Sequence, residues 1–125
     1  MKLHLMHAAG LQLFSGYGAG YVAVNSVRHE NCVVVSPQAV TEWAVTDFEA
    51  LTRADFGFIV ELKPEILIFG TGATQRFPPH ELAKALATTG VGVEVMDTRA
   101  ACRTYNILMS EGRNVAAALL MIERH

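Results

Sequence analysis

The sequence predicts an α/β fold in which helices flank a mostly parallel central sheet. Two observations predict it: the first third is rich in short β-branched runs, and the second half alternates apolar runs with amphipathic segments as β-α-β-α-β. With 125 residues, of which 51% are hydrophobic and 18% charged, the chain is large enough for one core without disulfides or metals. We therefore expect one domain over residues 1–125, with poor order at residues 1–14.

The N-terminal third predicts a β-hairpin. Two β-branched runs, 21–24 and 32–35, are separated by a polar stretch, and Asn31 suits the positive φ of a tight turn. Pro37 then ends the second strand, because proline cannot donate a ladder hydrogen bond. A further short strand is predicted over 42–45.

The second half predicts three helices and three strands. Thr52 and Asp55 have the spacing of a capping box, and Pro64 ends the helix that they open. Buried strands are predicted at 66–69 and 91–96, and a last strand at 115–122. Between the first two, Pro78-Pro79 opens a helix whose inward stripe is Leu82, Ala85, Leu86 and Thr89. Asp97 or Thr98 caps the third helix.

A glycine-containing loop is the first candidate binding site. Gly70, Thr71 and Gly72 follow a predicted strand, and open α/β sheets bind ligands at the carboxyl ends of their strands. Glycines let backbone N–H groups approach an anion, and Thr71 and Arg76 add hydrogen bonds and charge. Because the loop is neither a Walker loop nor a dinucleotide fingerprint, a turn whose glycines only satisfy geometry is an equal alternative.

A second polar cluster, Asp97 to Asn106, follows the next strand and is expected to share one mouth with the segment Gly70 to Arg76. Its candidate ligand-binding side chains are Thr98, Arg99, Cys102 and Asn106. An arginine such as Arg99 grips a carboxylate or a phosphate, although surface pairing with Asp97 or Glu111 is the commoner outcome.

Cys102 has two interpretations. Nearby arginines lower a thiol pKa and so favour a nucleophile, but no histidine has the spacing of a partner base. A small buried thiol is therefore the favoured interpretation, and no catalytic residue is assigned.

Composition excludes several classes of function. The net charge is −2, and the charges are scattered singly, so neither nucleic acid nor a membrane surface is an expected partner. The two cysteines form no CxxC motif and the histidines are isolated, so we expect no metal site and no cofactor. No run is long enough to span a membrane, and we expect a soluble, cytoplasmic protein.

Four segments taken in order resemble one known family. They cover residues 66–72, 92–98, 100–108 and 111–119. They are similar to the domain of unknown function 498 family, which includes the mitochondrial NADH dehydrogenase (complex I) assembly factor 3 and adipogenesis-associated relatives. The resemblance implies a three-layer α/β fold with an additional small N-terminal β-layer. It implies no known reaction, although the mitochondrial relatives act as assembly factors through protein contacts.

Three hypotheses of function follow. The favoured one is a non-enzymatic interaction or assembly-factor-like module for an unknown protein partner, which requires an exposed apolar patch or sheet edge. The alternative is a small-anion or metabolite-binding protein, either a binding protein alone or an enzyme, with its pocket between Gly70–Arg76 and Asp97–Asn106. The third is a homodimer, to which the apolar final strand would contribute if it lay at a sheet edge.

Overall fold

The N-terminal part forms a small antiparallel sheet in the computed structural model, which describes residues 11–123. Its strands are β1 (Phe14–Gly18), β2 (Tyr21–Val24) and β3 (Val27–His29), in that order. Asn25 and Ser26 join β2 to β3 with φ of 48° and 69°, the left-handed backbone of a two-residue hairpin turn.

The predicted hairpin between the runs 21–24 and 32–35 is therefore wrong. The first run pairs with β1 and β3, and the second run belongs to another sheet. Asn25 rather than Asn31 supplies the positive φ, because the shortest connection, not the longer polar stretch, closes the hairpin.

Among the described residues, the larger sheet has five strands in the order β5-β4-β8-β6-β7. Their bounds are β4 Val33–Ser36, β5 Ala39–Glu42, β6 Ile66–Thr71, β7 Gly92–Met96 and β8 Val115–Leu120. Strand β6 runs parallel to β7 and β8, whereas β4 runs antiparallel to β5 and β8. The sheet is thus mixed rather than mostly parallel, because the short turn after β4 permits only an antiparallel neighbour.

Strand β8 lies in the middle of this sheet, and all six of its residues are buried. An edge position for the final strand, as the homodimer hypothesis requires, is wrong. The edges are β5 and β7 instead. Strand β7 was expected to be buried, but Gly92 and Glu94 are exposed because no strand in the described part of the chain pairs with its outer side.

Within residues 11–123, three helices accompany the sheets: α1 (Gly57–Glu61), α2 (His80–Ala87) and α3 (Thr98–Ser110). The predicted capping box of Thr52 and Asp55 forms, but it opens a 3-10 turn, Arg53–Phe56, that leads into α1. Helix α2 follows Pro79 as predicted, with Leu82 and Leu86 buried, while Thr89 lies beyond its end and is exposed.

Alternate residues of the large sheet enter two apolar clusters, as the period of two in a strand requires. One cluster joins α3 and the small sheet to Ile68, Ala117 and Leu119. The other joins α1, α2 and the 3-10 turns to Leu67, Phe69 and Ala118. Residues 1–10 of the segment expected to be poorly ordered lie outside the described residues, while Phe14 is buried in the first cluster.

Candidate functional site

Gly70 and Gly72 of the predicted binding loop have structural roles, one in packing and the other in the backbone turn. A Cβ atom on Gly70 would lie 2.7 Å from Leu119 Cδ2 and 3.1 Å from the Cβ of Ala101. Real Cβ atoms do not approach neighbours so closely, so Gly70 lets β6 lie directly against α3. Gly72 has φ +97°, a conformation that favours glycine, where the chain leaves β6.

Thr98, a predicted ligand-binding residue, ties three elements together and is fully buried. Its hydroxyl accepts a hydrogen bond from Gly72 N–H at 2.9 Å and donates one to the Leu120 carbonyl at 2.6 Å. Its own N–H donates to the Gly72 carbonyl at 2.9 Å. The Gly72 amide, which was expected to face an anion, is therefore occupied by Thr98.

Thr71 and Arg76 close the same loop on its other side. Arg76 N–H donates to Thr71 Oγ1 at 3.0 Å, and Arg76 Nη2 donates to the Thr71 carbonyl at 2.9 Å. The guanidinium carbon of Arg76 lies 4.5 Å from the ring centroid of Phe48. Arg76 also lines a cavity of about 700 Å³, whose rim includes Glu49 and Glu123.

Cys102 lies under α3 with 1% of its surface exposed. Burial raises the pKa of its thiol to about 12, although the charge of Arg103 opposes that shift. The thiol is thus protonated at neutral pH, and a thiolate nucleophile is not available at this position.

Asn106, the last predicted site residue, holds β1 against α3. Its Oδ1 accepts from Phe14 N–H at 2.9 Å and its Nδ2 donates to the Phe14 carbonyl at 2.8 Å, so the amide pairs with the strand as a neighbouring strand would. Tyr105 supports the same docking, since its hydroxyl donates to the Gln12 carbonyl at 2.9 Å.

The predicted residues thus fall into separate groups. Gly70, Gly72 and Thr98 meet at the first turn of α3. Arg76 adjoins this group, since its Nη2 bonds the Thr71 carbonyl and would lie 3.5 Å from a Cβ atom on Gly72. Asn106 is apart from them and contacts β1 beside the cluster that joins α3 to the small sheet. Arg99 is exposed on α3 and makes no hydrogen bond or ion pair with the described residues.

An apolar groove lies between α2 and the edge strand β7. The sequence analysis did not predict it. The groove has a volume of about 410 Å³. Its lining includes Phe77, Ala83, Leu86, Ala87, Val93 and Val95. Phe77 is 73% exposed, which is unusual for so large an apolar side chain. The signal available in the sequence was a phenylalanine in an otherwise polar loop, directly before Pro78.

The backbone of β7 leaves hydrogen-bonding groups beside this groove. Gly92 N–H donates toward β6, to the Glu65 carbonyl, so the groups of Val93 and Val95 point outward in the alternation of a parallel ladder. Gln75 Nε2 donates to the Val95 carbonyl at 2.8 Å. The N–H and carbonyl of Val93 and the N–H of Val95 form no hydrogen bond with the described residues.

Residues 11–123 contain neither a cluster of metal ligands nor a helix suited to crossing a membrane. No three side chains of His, Cys, Asp or Glu come together there as metal ligands would. Within the same residues, no helix has both the length and the apolar character needed to cross a membrane. The described residues thus form a small mixed α/β protein with an apolar groove beside one edge of its larger sheet.

The chain belongs to the family described as protein of unknown function (DUF498/DUF598), whose model matches residues 14–120. The family resemblance seen in the sequence is confirmed. The relatives that the chain matches include proteins with descriptive names. The 13 kDa major membrane protein of Francisella tularensis subsp. holarctica is 30% identical over 109 residues, which cover 86% of this chain and 89% of the relative.

The second relative is the NADH dehydrogenase [ubiquinone] 1 alpha subcomplex assembly factor 3 of Bos taurus, 38% identical over 107 residues. The match covers 83% of this chain but only 58% of that protein. Among solved structures, a protein of Bordetella parapertussis is similar with a TM-score of 0.82 and 43% identity, covering 88% of this chain and 95% of that one.

Proposed function

We propose that the protein is a non-enzymatic interaction module that works as an assembly factor does, by binding a protein partner at the apolar groove. The observation that carries the proposal is the open groove beside the outer edge of β7. An apolar surface with exposed backbone groups beside it is the kind of surface that a partner covers. The name of the Bos taurus relative supports the assembly role.

The burial and hydrogen bonding of Cys102 and Thr98 also favour a binding protein over an enzyme. The Cys102 thiol is buried with a pKa raised to about 12, and the Thr98 hydroxyl is used within the fold. Among the described residues, neither side chain meets a base that would activate it.

Affinity capture from a native lysate with matched variants tests this proposal. Phe77→Ser removes the largest exposed apolar side chain of the groove. Ile107→Ser removes a side chain that is 58% exposed on α3 and serves as the control. We expect the proteins captured by the wild type to be lost with Phe77→Ser and kept with Ile107→Ser. Capture that Phe77→Ser leaves unchanged, or nothing above background, would contradict the proposal.

The cavity at Arg76 supports a second candidate, a small-anion or metabolite site. Arg76 makes no ion pair among the described residues, and its Nε atom is buried without a hydrogen-bond partner there. The acidic rim residues Glu49 and Glu123 oppose the candidate. An amide NMR titration with pools of anionic metabolites tests it. Saturable shifts at Arg76 and at other residues that line its cavity, such as Phe48 and Glu49, support the site, and the absence of such shifts counts against it.

Localisation in the cytoplasm is part of the proposal. Cys32 and Cys102 are free and buried, as suits a reducing compartment. Fractionation of cells that produce the tagged protein distinguishes this location from a membrane location, which the name of the Francisella relative would suggest.

A further inference from the structure

We propose that the outer edge of β7 and the apolar groove form one docking site for an extended segment of the partner. The segment adds to β7 as a further strand and carries an apolar–basic–apolar triplet. This inference rests on the proposed function and names the chemistry of the partner. Strand addition is an established mode of peptide recognition, in which backbone hydrogen bonds give affinity and alternate side-chain pockets give specificity.

The backbone supplies the first half of the site. The N–H and carbonyl of Val93 and the N–H of Val95 point away from β6 and are free of hydrogen bonds within residues 11–123. These are the groups that an added strand pairs with. Gln75 blocks only the Val95 carbonyl, so it marks where the pairing ends.

The side chains of β7 supply the second half. Val93 and Val95 line the groove, so the two apolar residues of the added segment face the same groove beside Phe77. Glu94 lies between them, on the opposite face of the strand, where it is exposed. No described cation forms an ion pair with Glu94. A lysine or arginine opposite Glu94 makes a favourable cross-strand pair.

The same residues disfavour a second copy of this chain as the occupant. In the antiparallel register that aligns Val93 of one copy with Val95 of the other, the two Glu94 carboxylates lie directly opposite each other. Like charges in that position destabilise a pair of strands. The edge thus selects against self-pairing and for a basic segment.

Two synthetic peptides added to the full-length, isotope-labelled protein test the inference. The first probe is acetyl-Thr-Leu-Lys-Leu-Thr-amide, and the second has Glu in place of Lys. We expect saturable amide shifts at Val93 and Val95 with the lysine peptide and roughly fivefold weaker binding of the glutamate peptide, because one cross-strand charge pair changes sign. Glu94→Lys is expected to reverse the preference. A lysine peptide N-methylated at the amide that pairs with β7 is expected to lose binding.

Several results would overturn the inference. No saturable shift, equal binding of the two peptides, or a preference that Glu94→Lys leaves unchanged would each do so. Self-association in sedimentation that the peptides displace would assign the edge to a second copy instead. If the peptides fail while Phe77→Ser still abolishes capture of the partner, strand addition is wrong and the proposed interaction function stands.

Discussion

The hydroxyl of Thr98 lies 2.9 Å from the amide nitrogen of Gly72 and 2.6 Å from the carbonyl oxygen of Leu120. One buried side chain therefore holds together the carboxyl ends of β6 and β8 and the first turn of α3. This is the edge of the sheet where ligands often bind in α/β proteins. Here the N–H groups of Gly72 and Thr98 form hydrogen bonds within the fold, and the apolar groove lies beside β7 instead.

Replacing Thr98 by valine tests this arrangement. Thr98→Val keeps the shape of the side chain but leaves the buried Gly72 amide and Leu120 carbonyl without their partner. We expect the free energy of unfolding to fall by about 2–4 kcal/mol, because unpaired buried polar groups are costly. Urea unfolding measures the loss. Thr88→Val, which removes an exposed bond to the Ala85 carbonyl, is the control and is expected to change little. Equal effects of the two variants would refute the role of Thr98.

Gly70 is expected to tolerate no side chain. Gly70→Ala places a Cβ atom 2.7 Å from Leu119 Cδ2 in β8 and 3.1 Å from the Cβ of Ala101 in α3. Both neighbours must move away, so we expect a loss of about 1–3 kcal/mol of stability. Gly57→Ala is the matched control, since a Cβ there meets nothing within 4 Å and Gly57 begins α1. Thermal unfolding compares the two, and a Gly70→Ala protein as stable as the control would contradict the close approach.

Asn106 is expected to protect the backbone of β1. In Asn106→Ala the N–H of Phe14 loses its acceptor and the Phe14 carbonyl loses its donor. Amide hydrogen exchange at Phe14 is therefore expected to accelerate at least several-fold, with little change in β6. Ser110→Ala, which alters only a bond to the Ile107 carbonyl of the same helix, is the control. Unchanged exchange at Phe14 would show that other contacts hold β1.

The Cys102 thiol predicts a dependence of stability on alkaline pH. Burial raises its pKa from 9.0 to about 12 in the folded protein. The unfolded thiol ionises first, so its contribution to stability is present below pH 9 and is lost as the pH rises toward 12. Each pH unit within that window costs about 1.4 kcal/mol.

Urea unfolding at pH 8.5 and 10.5 measures this effect. Cys102→Ala is expected to lose less stability between the two pH values than the wild type does. Burial also raises the pKa of the Cys32 thiol and of the Tyr105 hydroxyl. Both residues are present in the wild type and in the variant, so their contributions to the pH dependence cancel in the comparison. Identical pH profiles would show that the thiol at position 102 does not titrate as a buried group does.

The sequence was informative where local chemistry decides the structure. The capping carboxylate of Asp97, the helix after Pro79 and the apolar strand β6 all follow from nearby residues. The order of the strands does not, because the placement of β8 between β4 and β6 depends on contacts between distant segments. A continuous apolar run indicates burial, but it does not say whether the strand is central or lies at an edge.

The candidate site shows the same limit. The sequence placed Gly70, Thr98 and Asn106 near strand ends, where donors and acceptors indicate a ligand. Only the fold shows that each of them bonds or packs against another part of the chain. The apolar groove was missed because its lining comes from α2, β7 and the loop before α2, which are distinct in sequence.

Photo-crosslinking from the apolar groove tests the central proposal most directly. Benzoylphenylalanine in place of Phe77 positions a reactive group in the groove, and the same residue in place of Ile107 positions it on α3. After irradiation of living cells, we expect a discrete crosslinked product with a second polypeptide from position 77 and none from position 107. No product from position 77, or equal products from both positions, would contradict binding of a partner at the groove.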